Sequence, residues 1–330
     1  MRASSTFFKL FPPPTFLLMP HAGLDISDDA ILALSYSGFG HSRKLDVYGG
    51  IDLPPGLVMG GDVKDEKEFV SYLSAFAKDH GLYHVKVSVP EEKAYLFQTD
   101  VPVAAFSEIV QNIEFKLEEN VPLAAPDALF YFDLIPPLTP TEPLRASVSV
   151  VPRTYVEHYI SLLEQAALSP VAFEVVPKAI ARAIVPPSAH ETRILIHVMN
   201  KKTGIYVVSG NVVNFASTVG WGGGDGSQAN LTASAESLAK EIVRVYSYWG
   251  SHGTGRPIDE IVLVGKNAQA FETALGHVGT AAPKGMHIAD IWRNAFDLDK
   301  YLPPISRVDS LEYAVAAGMA LELSQETSPS

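Results

Sequence analysis

Glycines are the residues of this chain whose type and spacing come nearest to chemistry. Gly220-Trp221-Gly222-Gly223-Gly224-Asp225-Gly226 is the densest run. Backbone N–H groups in such a loop can turn inward together and form a nest for phosphate oxygens. The same run also suits a plain surface loop, so alone it assigns no ligand. Gly265-Lys266-Asn267 holds the Gly-Lys pair of a P-loop, but Glu260 stands where the first glycine is needed and no Ser or Thr follows the lysine. The ten histidines are scattered without an HExxH spacing, and no GxSxG elbow occurs. With no cysteine, disulfides and thiolate metal sites are impossible. The 37 carboxylates yield no acid–base pair without geometry. No catalytic residue and no metal ligand is assigned.

The elements that must position these residues come in two similar series. Ala22–Ile26 and Ile31–Ser35 are short apolar runs joined by Ser27-Asp28-Asp29, a hairpin pattern, and Lys44–Leu53 adds a third strand. Asp65 and Glu68 then make a capping box. Phe69, Leu73, Phe76 and Ala77 follow at helical spacing, and Gly81 is placed to stop the helix. From about 84 to 170 the pattern reads as a small inserted β/α module. It opens on the alternating Val85, Val87, Val89 and includes helix stripes at Phe106–Leu117 and Val156–Leu163. After a linker at Pro186–Ala189 a second β-β-β start appears: Arg193–Val198, Gly204–Val208 and Asn211–Phe215. A helix marked by Leu238, Ile242, Val245 and Trp249 follows, then a strand at Ile261–Val264. Leu311–Leu323 is expected to form a closing helix. The pattern is that of an internally duplicated α/β architecture.

Composition narrows the partners. A net charge of −12 disfavours nucleic acid and bare anionic membranes, both of which select for Lys and Arg. Residues 1–20 read as an apolar, proline-rich arm. Pro12-Pro13-Pro14 would break a signal-peptide helix there, and no later stretch is apolar for the roughly 18 residues a membrane span needs. A cytoplasmic chain is expected.

Several collinear segments resemble the PilM family of type IV pilus assembly proteins, relatives of FtsA within the actin-like ATPase superfamily. They are Phe11-Pro12-Pro13-Pro14 with Gly23-Leu24-Asp25-Ile26-Ser27, Gln111–Phe115 with Glu118–Pro122, Val151-Pro152-Arg153, and Asp309–Leu321. The resemblance implies an actin-like (ribonuclease H-like) duplicated two-domain fold: domain 1 at 21–188, carrying an SHS2-type subdomain at about 84–170, and domain 2 at 189–330. It also implies a cleft for ATP and Mg²⁺ between the domains.

Carried over residue by residue, the implied nucleotide-binding set is Asp25, Ser27, Thr203, Gly204, Gly222, Gly223, Gly224, Glu241, Gly265 and Lys266. Two departures stand out. Ser27 replaces the glycine of the first phosphate loop, where a side chain crowds the approach. The second loop's Asp-x-Gly aligns with His197-Val198-Met199, and neither His nor Met replaces a hard-cation oxygen ligand. The departures argue against ATP hydrolysis and make the cleft degenerate.

The role implied by the resemblance is a cytoplasmic scaffold at the inner face of the membrane. It would bind the N-terminal tail of a PilN-like membrane protein, sit with other pilus platform proteins, and reach the membrane only through them. Phe97, Val101, Phe106 and Ile109 are the candidate partner-binding residues, as apolar positions where a peptide could add to a sheet edge or fill a groove. The alternatives are an active actin-like ATPase of pilus assembly and an FtsA-like division filament.

Overall fold

The computed structural model describes residues 20–38, 43–139, 141–223, 228–252, 256–278 and 285–321. The expected arm, apart from Pro20, and Gly224 of the implied nucleotide set lie outside the described residues.

The first domain is built on a five-stranded sheet. β1 (Ala22–Ile26), β2 (Ala30–Ser37) and β3 (Lys44–Asp52) form an antiparallel meander. A two-stranded ribbon, β4 (Val58–Met59) with β5 (Asp62–Val63), leads into helix α1 (Glu66–His80). Asp65 caps α1 by accepting from the Glu68 amide at 3.0 Å, and Gly81 ends it in the left-handed region at φ 63°. The stripe Phe69, Leu73, Phe76 and Ala77 is buried, as the periodicity requires. β6 (His84–Val89) runs parallel to β1.

The chain then leaves the sheet and builds the inserted module. β7 (Tyr95–Asp100), helix α2 (Phe106–Asn120), β8 (Ala128–Ile135) and β9 (Arg145–Pro152) make an antiparallel sheet in the order β7-β9-β8, with α2 on one face. Helix α3 (Arg153–Gln165), β10 (Ser169–Val175) and helix α4 (Val176–Ile184) follow. β10 pairs parallel to β6, and Tyr159, Leu162 and Leu163 of α3 join the core that holds Phe69 and Leu73. The module proper is therefore shorter than the 84–170 read from sequence. β6 and α3 belong to the first domain, because alternation in a strand says which face is apolar but not which sheet it joins.

The second domain repeats the plan. β11 (Thr192–Val198), β12 (Thr203–Ser209) and β13 (Val212–Val219) form a meander. After helix α5 (Gln228–His252) comes β14 (Ile258–Val264), parallel to β11; helix α6 (Ala268–Val278) then leads to β15 (Met286–Ile288). The sheet orders β3-β2-β1-β6-β10 and β13-β12-β11-β14-β15 are the same topology twice, which realises the duplication.

The closing segment differs from expectation. It is a short helix α7 (Arg307–Ser310), a 3₁₀ turn at Leu311–Tyr313 and helix α8 (Ala314–Ala320). Small residues let α8 wedge between the domains. A Cβ on Gly318 would lie 1.8 Å from the Ala179 carbonyl oxygen of α4, and one on Gly23 of β1 would lie 2.0 Å from the Ala316 carbonyl oxygen. The large core spans α4, the second sheet and α8, so the wedge fixes how the two sheets face each other.

Candidate functional site

Two concavities stand out. The first is a cleft of about 240 Å³ between the domains, bordered by the β1–β2 turn, the β11–β12 turn, and residues Gly50–Asp52, Pro90-Glu91, Lys266 and Glu312-Tyr313. Strand polarity explains its position, since both meanders aim their first hairpin turn into the same gap.

At the first turn, Ser27 bonds within its own hairpin. Its hydroxyl donates to the Ala30 carbonyl at 3.0 Å and accepts from the Ala30 amide at 3.1 Å and the Asp29 amide at 3.4 Å. The Asp29 and Ala30 amides, which could meet an anion there, already have a partner. Asp25 is buried and accepts from the Ser88 hydroxyl at 2.7 Å. Burial pushes its carboxyl up to about 6, against the pull of that hydrogen bond and of the Lys202 charge. Glu91 is pushed up to about 7, chiefly by burial, and its Oε1 has no hydrogen-bond partner.

At the second turn, His197 is buried and its Nδ1 is likewise without a partner. Burial, helped by the Lys202 charge, lowers it to about 3, so the ring is neutral at physiological pH. Lys202 lies among these groups and meets Glu92 at 2.6 Å. Burial works against its charge, yet the hydrogen bond and charge of Glu92, with Glu91 and Asp28, hold the ammonium above its ordinary value. Lys201 meets Asp29 of the first turn at 2.7 Å.

The implied nucleotide set is not gathered on the cleft. Of its nine described residues, Asp25, Ser27 and Lys266 border it. Thr203 is fully buried and donates to the Trp221 carbonyl at 2.9 Å, while Gly204 lies in β12 with Tyr206 across it. Gly222 and Gly223 pack on the second hairpin. A Cβ at Gly222 would meet the Met199 carbonyl at 2.2 Å, and the Gly223 amide donates to that same oxygen at 2.8 Å. Gly265 has φ 105° and would place a Cβ 2.3 Å from the Val198 carbonyl. Glu241, on α5, pairs with Arg244 at 3.0 Å. Close backbone packing therefore accounts for Gly222 and Gly265, and the Asn267 side chain, 2.0 Å from a Cβ there, for Gly223. Among the described residues, no three His, Asp or Glu side chains are grouped to hold a metal ion.

The second concavity is a groove of about 400 Å³ where the module meets the first domain. Period-two alternation builds its floor. Ala146, Val148 and Val150 of β9 face α2 and are buried, so Ser147, Ser149 and Val151 face the groove. Leu129, Tyr131 and Asp133 of β8 do the same, and Ala172–Val175 of β10 supply a wall. Both β8 and β10 are edge strands of their sheets. Beneath them lies a charged network. Glu174 pairs with Arg182 and, at 3.0 Å, with Lys86, while Lys178 pairs with Asp133 at 2.6 Å. Burial lowers Lys86 despite Glu174 beside it; burial would raise Glu174, but the Arg182 and Lys86 cations keep it below its ordinary value.

The partner-binding candidates lie elsewhere. Val101 and Ile109 are buried in the module's own core with Phe97 packed on it. Phe106 is 72% exposed and stacks on Phe132 at 5.4 Å. These four share the helix-covered side of the module, whereas the groove opens on the other face of its sheet. The sequence pointed to the module but could not say which side of its sheet stays open.

No family model matches the sequence, and no curated protein matches it. The fold, however, superposes on a chain of the PilM-PilN type IV pilus biogenesis complex with a TM-score of 0.71, 17% identity, and coverage of 92% of this chain and 98% of that one. The chain has an actin-like fold. Weaker likenesses include the cytoplasmic domain of EpsL, an inner-membrane component of the Vibrio cholerae type II secretion system, with a TM-score of 0.47, 12% identity and coverage of 90% and 94%. The ethanolamine utilization protein EutJ from Carboxydothermus hydrogenoformans also has a TM-score of 0.47, with 12% identity and coverage of 94% and 90%. Among the described residues of this actin-like chain, no helix is long and apolar enough to cross a membrane.

Proposed function

We propose that this actin-like protein is a binding platform of type IV pilus assembly or a related secretion apparatus, and that its groove receives an extended segment of a PilN-like membrane protein. The observation that carries the reading is the pair of edge strands, β8 and β10, which line a largely apolar groove and each have a strand neighbour on one side only among the described residues. An extended peptide gains main-chain hydrogen bonds from a sheet edge, and alternate side chains fill pockets beside it. The shared fold with a chain of the PilM-PilN complex supports the class of partner. Apolar contact also suits a chain of net charge −12, which has no general attraction for anionic surfaces. A cytoplasmic location against the inner membrane, reached through the partner, belongs to this reading.

The residues of the interdomain cleft do not fit a magnesium nucleotide. The Asp29 and Ala30 amides of its first turn are bonded to Ser27, burial raises the Asp25 carboxyl to about 6, and the buried His197 ring stands where the resemblance places an aspartate. The platform reading therefore involves no ATP turnover.

The test is calorimetric titration of the full chain with a synthetic peptide of a PilN-like cytoplasmic tail. Wild type is expected to bind, and Ser149→Trp, which fills the floor of the groove, to weaken binding at least about tenfold. Equal binding by both proteins places the peptide elsewhere and defeats the reading.

A further inference from the structure

The duplicated hairpin turns at the interdomain cleft carry opposite charge doublets. The β1–β2 turn contributes Asp28-Asp29, and the β11–β12 turn contributes Lys201-Lys202. In the folded chain these doublets are used across the gap. Lys201 Nζ lies 2.7 Å from Asp29 Oδ1, joining the two turns directly. Lys202 Nζ lies 2.6 Å from Glu92 Oε1, joining the second domain to the turn that follows β6. The Lys202 side chain is only 13% exposed, against 63% for Lys201. Lys202 is thus a mostly covered cation whose partner Glu92 keeps 31% exposure, while Lys201 reaches its partner across the surface.

We propose that Lys201 and Lys202 are the cleft's own cations, cross-linking the two domains and holding the cleft closed with no nucleotide. Three observations converge on this. Both ammonium groups come from one domain and both carboxylates from the other, so domain separation must break both pairs. Lys202 stands beside Asp25, Glu91 and Asp28 as well as Glu92, so it is the cation that balances the carboxylates converging there. Its second-turn backbone is immobilised, because Met199 N donates to the Lys202 carbonyl at 3.0 Å and Gly223 N donates to the Met199 carbonyl at 2.8 Å. A fixed cation on a fixed turn can balance the carboxylates of the facing domain without reorganisation.

The device differs from a chance surface contact in its geometry. Isolated exposed pairs are weak. Lys202 is mostly covered and its charge acts on the buried Asp25, so reversing it leaves that carboxyl without its cation, which costs more. Lys202–Glu92 should therefore dominate, with Lys201–Asp29 as a smaller support.

The experiment is hydrogen–deuterium exchange on the full chain, read at the backbone around 26–30, 90–94 and 198–203. Lys202→Glu is expected to speed exchange at those three segments on the order of tenfold or more, with the module strands unaffected. Lys201→Glu is expected to speed it about two- to fivefold. The charge swap Lys202→Glu with Glu92→Lys is expected to return exchange to near the wild-type rate, and this also guards against a variant that merely misfolds. Millimolar Mg²⁺-ATP is expected to leave the wild-type rates unchanged. The proposal is overturned if the single reversals leave exchange unaltered, if the swap is as open as Lys202→Glu alone, or if Mg²⁺-ATP protects the turns of the wild-type protein.

Discussion

Replacing His197 by Gln should flatten the acid limb of stability, and the size of the effect follows from burial. The folded imidazole is held near 3, against an ordinary value of 6.5, because it is buried and Lys202 is close. The folded value lies below the unfolded one, so between those two pH values the unfolded chain binds more protons. Stability contributed by this site rises with pH through that window and is complete above about pH 7. At about pH 4.5 the unfolded ring is almost fully charged and the folded ring almost neutral, which disfavours the native state by about 3 kcal/mol. For 330 residues, an unfolding entropy of about 2.1 cal/mol/K per residue makes this about 4 °C in apparent Tm. Asp25 and Glu91 act in the opposite sense, since their raised values make stability fall as pH climbs from about 4 toward neutrality. Both carboxyls remain in the variant, so they cancel when the two proteins are compared. The assay is urea unfolding, followed by circular dichroism, at about pH 4.5 and about pH 8. The gap between His197→Gln and wild type should be about 3 kcal/mol more favourable to the variant at the acid pH than at the alkaline one. Parallel pH curves would refute the argument, because the ring would then have to take up its proton in the folded state.

Three other outcomes follow from the same physics. Glu91→Gln should stabilise the protein at about pH 8 by up to about 3 kcal/mol and leave it unchanged near pH 4, since the charged form is buried with one oxygen unpartnered; a destabilised variant at pH 8 in urea melts would mean the carboxylate is needed as an anion. Gly318→Val should cost about 3 kcal/mol or more, because even its Cβ would fall inside the Ala179 carbonyl, whereas Gly250→Ala on the exposed side of α5 should gain about 1 kcal/mol; similar urea midpoints for both would contradict the packing of α8 on α4. Asp133→Ala should lose about 3 kcal/mol by leaving the Lys178 ammonium without its carboxylate and with only the Asn211 carbonyl beneath the groove, and adding Lys178→Met should recover most of it; a recovery absent from thermal and urea melts alike would show that the pair is not what holds that corner.

Local chemistry made much of this architecture legible in the sequence. The Asp65 cap, the Phe69–Ala77 stripe and the Gly81 stop define α1 without any tertiary information, because capping and amphipathic spacing act within a few residues. The two β-β-β starts disclosed the duplication, and the collinear resemblance pointed to the actin-like fold that the sheet order bears out. The departures at Ser27 and His197 were visible as residue types. A complementary signal lay in the same turns: Asp28-Asp29 in one repeat and Lys201-Lys202 in the other are matching doublets that only the duplication brings face to face.

Long-range packing decided the rest. Alternation along β8 and β9 shows that two faces exist, but only the docking of α2 on one of them says that Val101 and Ile109 are core and that Ser149 and Tyr131 line a groove. The run holding Gly222 and Gly223 suits a phosphate nest or a plain loop until the second hairpin and Asn267 are seen packed against it. Whether β6 opened the module or continued the first sheet was settled by its pairing with β1 on one side and β10 on the other, and no short window of sequence contains that pairing. Residue types and spacings thus determined the elements and their duplication. Which surfaces remain free after those elements pack is a property of the whole chain, because burial is assigned by partners far away in sequence.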